Sequence, residues 1–133
     1  MRDSKFLKTV LFLSGLIAAG IGASILLDPI AFHGASGIKL TDNINLLNEM
    51  RAAGGALLAI GLLIIIGCFV ARLTYTATLV ASLMYLAYGL SRVLSFGFDG
   101  LPNASLVQVA VLELAIGALC IFCLRKYRIA KNI

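Results

Sequence analysis

The stretch AAGGALLAIGLLIIIGCFVA, residues 52–71, carries no charged side chain, and an arginine lies directly before it and directly after it. A helix needs about 20 predominantly apolar residues to cross the roughly 30 Å hydrocarbon core of a bilayer. The stretch meets that requirement, and it holds small residues that let one membrane helix approach another. It therefore predicts a transmembrane helix.

The composition of the whole chain agrees with this interpretation. Of 133 residues, 61% are hydrophobic and 13% are charged, and the mean hydropathy is +1.03. A soluble domain usually carries about 25% charged residues. Three further apolar stretches, at about 6–27, 75–95 and 105–124, are long enough to span a bilayer. We therefore predict an all-α fold, a polytopic four-helix membrane bundle forming one integral domain over residues 1–133, with an outer loop at 28–48.

The basic residues predict how the bundle is oriented. Most of them lie before the first helix, in the short link between the second and third helices, or in the C-terminal tail: Arg2, Lys5, Lys8, Arg72, Arg125, Lys126, Arg128 and Lys131. These segments fall on one side of the membrane if all four helices span. The positive-inside rule then predicts cytoplasmic termini in the cell inner membrane. We interpret the basic tail as an anchor on anionic lipid headgroups, not as a nucleic-acid site.

The three cysteines, Cys68, Cys120 and Cys123, fall in the predicted cytoplasmic halves of the second and fourth helices. Cys120 and Cys123 form a C-x-x-C, but no histidine or aspartate lies near it in the sequence to complete a metal site. Small buried packing residues are the simpler interpretation. The sequence predicts no metal site and no cofactor.

Turn residues predict the long connection after the first helix. Asp28 and Pro29 end that helix, because proline cannot continue it. The stretch 33–37 reads as loop, and its histidine, the only one in the chain, is interpreted as a surface residue. Thr41 or Asp42 is the predicted N-cap of a polar extension of the second helix.

Two shorter connections follow. The link around Arg72 is only a few residues long, so we expect the second and third helices to be antiparallel neighbours. Ser105 and Gln108 form an S-x-x-Q pattern, which predicts a capping box at the start of the fourth helix.

Small residues recur along the first two helices at spacings that favour close helix packing. They are Gly15, Ala19 and Ala23 in the first helix, and Gly54, Gly55, Ala59 and Gly61 in the second. They predict a bundle and are compatible with a homo-oligomer.

One acidic residue interrupts the fourth apolar stretch, VAVLELAIGALC, residues 109–120. Helical spacing places Glu113 on the same face as Ala110, Gly117 and Cys120, so its side chain should point into the bundle. A charged carboxylate inside a membrane is costly unless it is paired. The sequence therefore predicts a cationic partner for Glu113, or a retained proton.

The third helix offers that cation. Tyr85, Tyr88, Arg92 and Ser95 follow one another at steps of three, four and three, and Asp99 continues the stripe. We predict a polar cluster of Glu113 with Arg92 and Arg51, joined by Glu49 and with Asn48 at its rim. Two interpretations stay open. One is a structural ion-pair network, and the other is an outward-opening pocket with a polar floor, lined by Tyr85, Tyr88, Arg92, Glu113 and Arg51. Intramembrane ionisable residues favour a functional site.

Two sequence segments carry a resemblance: NEMRAAGG, residues 48–55, and YGLSRVLSFGFDGLP, residues 88–102. They resemble a widespread bacterial family of small four-helix membrane proteins whose domain has no assigned function. The matching positions are Glu49, Arg51, Arg92, Ser95, Asp99, Gly100, Pro102 and Glu113. The resemblance implies a fold and no activity. In one departure, two residues separate Gly89 from Arg92, where the family usually has Gly-Arg. A fainter resemblance is to the ergosterol-biosynthesis scaffold family, which would imply a tether for membrane enzymes.

Three functional hypotheses follow. We favour a non-enzymatic protein, an accessory or scaffold subunit or a binder of a lipid-like ligand. A second hypothesis is a small enzyme similar to the glutathione- and eicosanoid-linked four-helix family, with Tyr85 or Tyr88 as proton donor. A third is a proton-coupled exporter with Glu113 as carrier. The candidate partners are membrane lipid, a protein of a membrane complex and a second copy of the chain, and nucleic acid is not among them.

Overall fold

A computed structural model describes residues 4–131, with side chains as far as Tyr127. The helices are α1 (Lys5–Leu27), α2 (Pro29–Gly34), α3 (Ile44–Phe69), α4 (Thr74–Asp99) and α5 (Ala104–Lys131), and a 3-10 turn, Ala71–Leu73, joins α3 to α4. The roles predicted for Arg2 and for the side chains of Arg128 and Lys131 fall outside what is described.

The described chain is helical and contains no strand between residues 4 and 131. Four of its helical segments are long and apolar enough to cross a membrane: Lys5–Leu27, Ile44–Phe69, Ala71–Asp99 and Ala104–Tyr127. The predicted all-α fold with four candidate membrane spans is confirmed. The helices are longer than the predicted segments because hydropathy detects only the apolar part, whereas each helix continues into polar residues.

Asparagines cap two of the long helices. The Asn43 side chain accepts a hydrogen bond from Leu46 N at 3.2 Å, and the Asn103 side chain accepts one from Leu106 N at 3.1 Å. A short polar side chain on a non-helical backbone satisfies an otherwise unpaired N–H of the first turn. The N-cap predicted at Thr41 or Asp42 and the capping box of Ser105 with Gln108 are therefore wrong by one or two residues.

The connection between α1 and α3 folds back onto the bundle. Asp28 caps the short helix α2 by accepting from Ala31 N at 3.1 Å, and Pro29 occupies its first turn. The prediction of loop for residues 33–37 is wrong at His33 and Gly34, which are helical. Asn103 Nδ2 donates to Ser36 O at 2.7 Å, which ties this connection to the turn before α5.

The two ends of the bundle carry different connections between the helices. We call the end with the 28–43 connection and the 100–103 turn the loop end. The other end, with the start of α1, the 3-10 turn and the end of α5, is the terminal end. Because the four long helices alternate in direction, the second half of α1 and α4 and the first half of α3 and α5 lie at the loop end.

The helices form two closely packed pairs, α1 with α3 and α4 with α5. In the first pair the backbones meet at glycines: a Cβ added to Gly54 would lie 2.7 Å from Leu26 N, and one added to Gly61 would lie 2.8 Å from Ala19 Cα. Gly55 and Ala59 make no such close backbone contact: a Cβ added to Gly55 would lie 3.9 Å from Leu26 Cδ1, and Ala59 is exposed. Of the small residues predicted to pack closely on this helix, Gly54 and Gly61 do so, and Gly55 and Ala59 do not.

The second pair packs glycine against leucine. A Cβ on Gly89 would lie 2.6 Å from Leu114 Cγ, and one on Gly117 would lie 2.7 Å from Leu86 Cγ. Helices α3 and α4 are antiparallel neighbours, as predicted, and Thr74 Oγ1 stabilises their link by donating to Gly67 O at 2.8 Å.

The two pairs meet in an apolar core at the terminal end. It contains Leu7, Val10, Leu11, Ile64, Cys68, Ala77, Ala81, Cys120, Cys123 and Leu124. All three cysteines are unpaired and buried there, which agrees with the packing role predicted for them. The Cys68 thiol also donates to Lys8 O at 3.3 Å, so it links α3 to α1.

The close approach of α1 and α3 is testable at Gly22. A Cβ there would lie 2.7 Å from Gly54 O and 2.8 Å from Leu58 Cα, whereas a Cβ on Gly20 would meet nothing within 4 Å. Gly22→Ala should lower the free energy of unfolding in mixed micelles by about 1–3 kcal/mol, because both backbones would have to move apart. Gly20→Ala is the control, and equal effects of the two changes would contradict this packing.

Candidate functional site

Helices α4 and α5 bring an arginine and a glutamate together near the loop end. Arg92 Nε donates to Glu113 Oε1 at 2.5 Å, and the two side chains are 32% and 13% exposed. The cation that the sequence predicted for Glu113 is thus the one that contacts it. Glu113 shares its helix face with Ala110 and Gly117, both buried, which places the carboxylate at the edge of the bundle interior.

The pair leaves part of its hydrogen-bonding capacity unused. A guanidinium has five N–H donors and a carboxylate has two acceptor oxygens. Only one donor and one oxygen take part in the contact, and no other hydrogen bond of Arg92 or Glu113 is found among the described residues. The site therefore presents free donors and a free acceptor beside each other.

Arg51 does not join this pair. Its Nη1 donates to Leu26 O at 2.6 Å and to Leu27 O at 3.1 Å, so it satisfies carbonyl groups that the last turn of α1 leaves unpaired. A cation at a helix C-terminus is also favoured by the helix dipole. The sequence predicts that Arg51 shares a cluster with Glu113, but the guanidinium of Arg51 contacts α1, because the long helix α3 carries Arg51 alongside the end of that helix.

The other polar residues near the entrance of α3 also lie apart from the ion pair. Asn48 and Glu49 are exposed, and neither has a hydrogen-bond partner among the described residues. Ser95 Oγ donates to Asp99 Oδ2 at 2.9 Å, an exposed contact within one turn of α4. The structure thus reduces the predicted cluster of charged side chains to Arg92 and Glu113.

The two tyrosines of the predicted stripe have different surroundings. Tyr85 is 4% exposed, and its hydroxyl donates to Ser14 O at 2.5 Å, which links α4 to α1 across the bundle. Tyr88, one turn nearer the loop end, is 38% exposed and has no hydrogen-bond partner among the described residues.

A cavity of about 330 Å³ lies at the loop end between the two helix pairs. Its walls are mostly apolar and come from every long helix and from the connection between α1 and α3. They comprise Ile17, Ala18, Ile21 and Ile25 of α1; Phe32, His33, Ser36 and Ile38 of the connection; Met50, Ala53 and Leu57 of α3; Met84, Tyr85, Tyr88 and Arg92 of α4; and Leu106, Val109, Leu112 and Glu113 of α5.

His33 belongs to this cavity, and the sequence did not indicate it. Its Nε2 is buried and has no hydrogen-bond partner. Among the buried side-chain nitrogen and oxygen atoms of the described chain, it is the one that lacks a partner. Phe32 holds the ring edge-on, with ring centroids 5.3 Å apart. The sequence did contain a signal for the short helix that carries His33: Asp28-Pro29, an N-cap followed by proline at the first helical position.

Two other kinds of site have less support in the described chain. Among residues 4–127, no group of three or more His, Cys, Asp or Glu side chains could hold a metal ion. A second depression, of about 450 Å³, is lined by Ala118, Ile121, Phe122, Arg125 and Lys126. All five belong to α5, so this depression is a surface of one helix. The cavity between the helix pairs is the candidate site.

The ion pair can be tested by a double-mutant cycle. Glu113→Ala should lower the free energy of unfolding by about 1–3 kcal/mol, because Arg92 loses a charged hydrogen-bond partner in a half-buried position. Adding Arg92→Leu should recover part of the loss, with a coupling of at least about 0.5 kcal/mol. Asp99→Ala is the control, since that carboxylate is exposed. Purely additive effects of the two substitutions would exclude the pair.

His33 should make stability depend on pH. Burial lowers the pKa of His33 from its ordinary value of 6.5. Below that pH the unfolded chain binds more protons than the folded protein, so the free energy of unfolding should fall as pH falls from about 7 to 5. His33→Gln should flatten this part of the pH profile, measured by unfolding in lipid nanodiscs. An unchanged profile in His33→Gln would show that other groups cause the dependence.

Comparison with known proteins adds a family and no activity. No curated protein and no solved structure matches the chain. The family model described as a domain of unknown function, DUF4345, matches residues 6–124. That range includes both residues of the ion pair and every described residue of the cavity. The predicted membership in an uncharacterised family is confirmed: the chain belongs to the DUF4345 family.

Proposed function

We propose that this small membrane protein binds a lipid-like ligand in the cavity between its two helix pairs. One observation carries the proposal: the cavity combines apolar walls with an ion pair that has unused hydrogen-bonding groups. Ligand sites in proteins are mostly apolar concave spaces with a few placed polar groups, and they measure about 300–1,000 Å³. At about 330 Å³ this cavity falls at the small end of that range.

The packing of the bundle supports a site at the loop end. At the terminal end the two pairs are joined by the buried core around Leu11, Ile64 and Cys120. Toward the loop end the buried residues that join the two pairs are fewer, Ala18, Leu57 and Tyr85, and the cavity lies beyond them. A bundle that packs side chains at one end and encloses a lined space at the other has the geometry of a ligand site.

The charge distribution supports an outward-facing site in the inner membrane. The terminal end carries Lys5, Lys8, Arg72, Arg125 and Lys126. By the positive-inside rule this end faces the cytoplasm, so both termini are inside. The cavity then lies in the outer half of the membrane, within reach of lipids of the outer leaflet.

The alternatives have less support from the geometry. An enzyme that used Tyr85 as proton donor would first have to break its bond to Ser14 O. Tyr88, the other candidate donor, lines the cavity without such a bond, but the acidic residue of that cavity, Glu113, is already paired with Arg92. An exporter that used Glu113 as proton carrier would have to release the carboxylate from Arg92 in every cycle. A role as subunit of a complex is compatible with ligand binding.

Native mass spectrometry of the protein, extracted gently from its own membrane, tests the proposal. Ala53 and Ala59 are both exposed alanines of α3, but only Ala53 is among the residues that line the cavity. The unmodified protein should retain a bound molecule, and Ala53→Phe should reduce the retained fraction by about tenfold or more by filling its space. Ala59→Phe should retain the molecule. Equal retention in both variants would place the ligand outside the cavity.

A further inference from the structure

We propose that the ligand is an apolar molecule whose polar end is an uncharged carbonyl or hydroxyl group. The inference rests on the proposed function, since it specifies the chemistry of the molecule that the cavity binds. It follows from the charge of the cavity wall, from the unused hydrogen-bonding groups on that wall, and from the character of the remaining surface.

The wall of the cavity is electrically neutral overall. Arg92 and Glu113 are the charged residues that line it, and they contact each other directly. An anionic end group would compete with Glu113 for the guanidinium and would leave a second carboxylate without a partner. A cationic end group would compete with Arg92 in the same way. A charged end group would therefore add a third, unneutralised charge to a partly buried pair, which is unfavourable in a mostly apolar cavity, so the existing pair disfavours both classes of charged ligand.

The same wall has donors and acceptors for a neutral group. Arg92 uses Nε for Glu113, so its terminal nitrogens remain able to donate. Glu113 Oε2 remains able to accept, and so do the Tyr88 hydroxyl and His33 Nε2 in the tautomer with its proton on Nδ1. His33 Nε2 is buried without a partner in the described chain, and a buried polar atom of this kind calls for one. A carbonyl would accept from Arg92, and a hydroxyl could also donate to Glu113 or to His33.

The rest of the wall requires an apolar body. Its other residues are almost all aliphatic or aromatic, and two of them, Met50 and Met84, have flexible side chains that adapt to irregular shapes. Fatty alcohols, ketones and quinone-like or isoprenoid molecules share the required chemistry of an apolar body with a neutral oxygen group. Phospholipid headgroups, which carry a phosphate, do not.

Fluorescence quenching provides a direct test, because the chain contains no tryptophan. Phe32→Trp places a single reporter on the cavity wall, and Phe122→Trp places one on an exposed position of α5 that lies outside this cavity. The probes are decanol, decyl methyl ketone, decanoate and decylammonium, each brominated at the end of the chain so that it quenches a nearby indole. They are added to the protein in phosphatidylcholine vesicles. Ile38→Trp, also on the wall, serves as a second reporter should Phe32→Trp fold poorly.

The alcohol and the ketone should quench Phe32→Trp saturably, at concentrations about tenfold or more below those at which either charged probe does. Phe122→Trp should be quenched only in proportion to the amount of each probe in the membrane. Glu113→Gln, which frees the Arg92 charge, should shift the preference of the Phe32→Trp protein toward decanoate. Arg92→Gln, which frees the Glu113 charge, should shift it toward decylammonium.

Three results would contradict the inference in different ways. Saturable quenching of Phe32→Trp by decanoate or decylammonium at concentrations equal to or below those of the alcohol and the ketone, in the protein with an intact ion pair, would refute a neutral end group while leaving the proposed function standing. If no probe quenched Phe32→Trp or Ile38→Trp more than Phe122→Trp, the cavity would not bind such molecules, and the proposed function would fail with the inference. An unchanged probe preference in Glu113→Gln and Arg92→Gln would show that the ion pair does not select the ligand.

Discussion

Lipid chains are as apolar as leucine side chains, so membrane helices associate through close packing and not through withdrawal from water. In this protein that constraint is met at glycines, where α1 approaches α3 and α4 approaches α5. Two tight pairs result, and each pair is more extensively packed within itself than against the other. The pairs are joined by the core at the terminal end, and at the loop end they enclose the cavity. The candidate site is therefore a consequence of how the glycines are distributed.

The ion pair of Arg92 and Glu113 belongs to both the fold and the site. It connects α4 to α5 within the second helix pair, and it forms the charged part of the cavity wall. Its structural and functional interpretations are therefore compatible: a neutralised pair allows a carboxylate to lie among apolar residues, and its remaining donors and acceptor face a space that a ligand could share. The connection with α2 completes this wall by contributing His33, whose buried nitrogen lacks a partner in the described chain.

The sequence predicted the features that depend on local composition. Long apolar stretches identified all four candidate spans, and the isolated Glu113 with the stripe through Arg92 identified the ion pair. It failed where the outcome depends on the rotation of one helix against another: Arg51 contacts the end of α1 and not Glu113. An outward-opening pocket was one of the two interpretations that the sequence left open, and Tyr85, Tyr88, Arg92 and Glu113 do line the cavity. Its apolar walls could not be predicted, because aliphatic residues that line a space and those that face lipid have the same composition.

Photo-crosslinking in the native membrane tests most directly whether the cavity holds a specific molecule. A benzophenone amino acid at position 32 reports on the cavity, and one at position 122 reports on an exposed surface of α5 away from it. Mass spectrometry of the adducts should show one dominant small molecule with a neutral oxygen group at position 32, and a mixture of bulk phospholipids at position 122. The same phospholipid mixture at both positions would contradict a ligand site between the helix pairs.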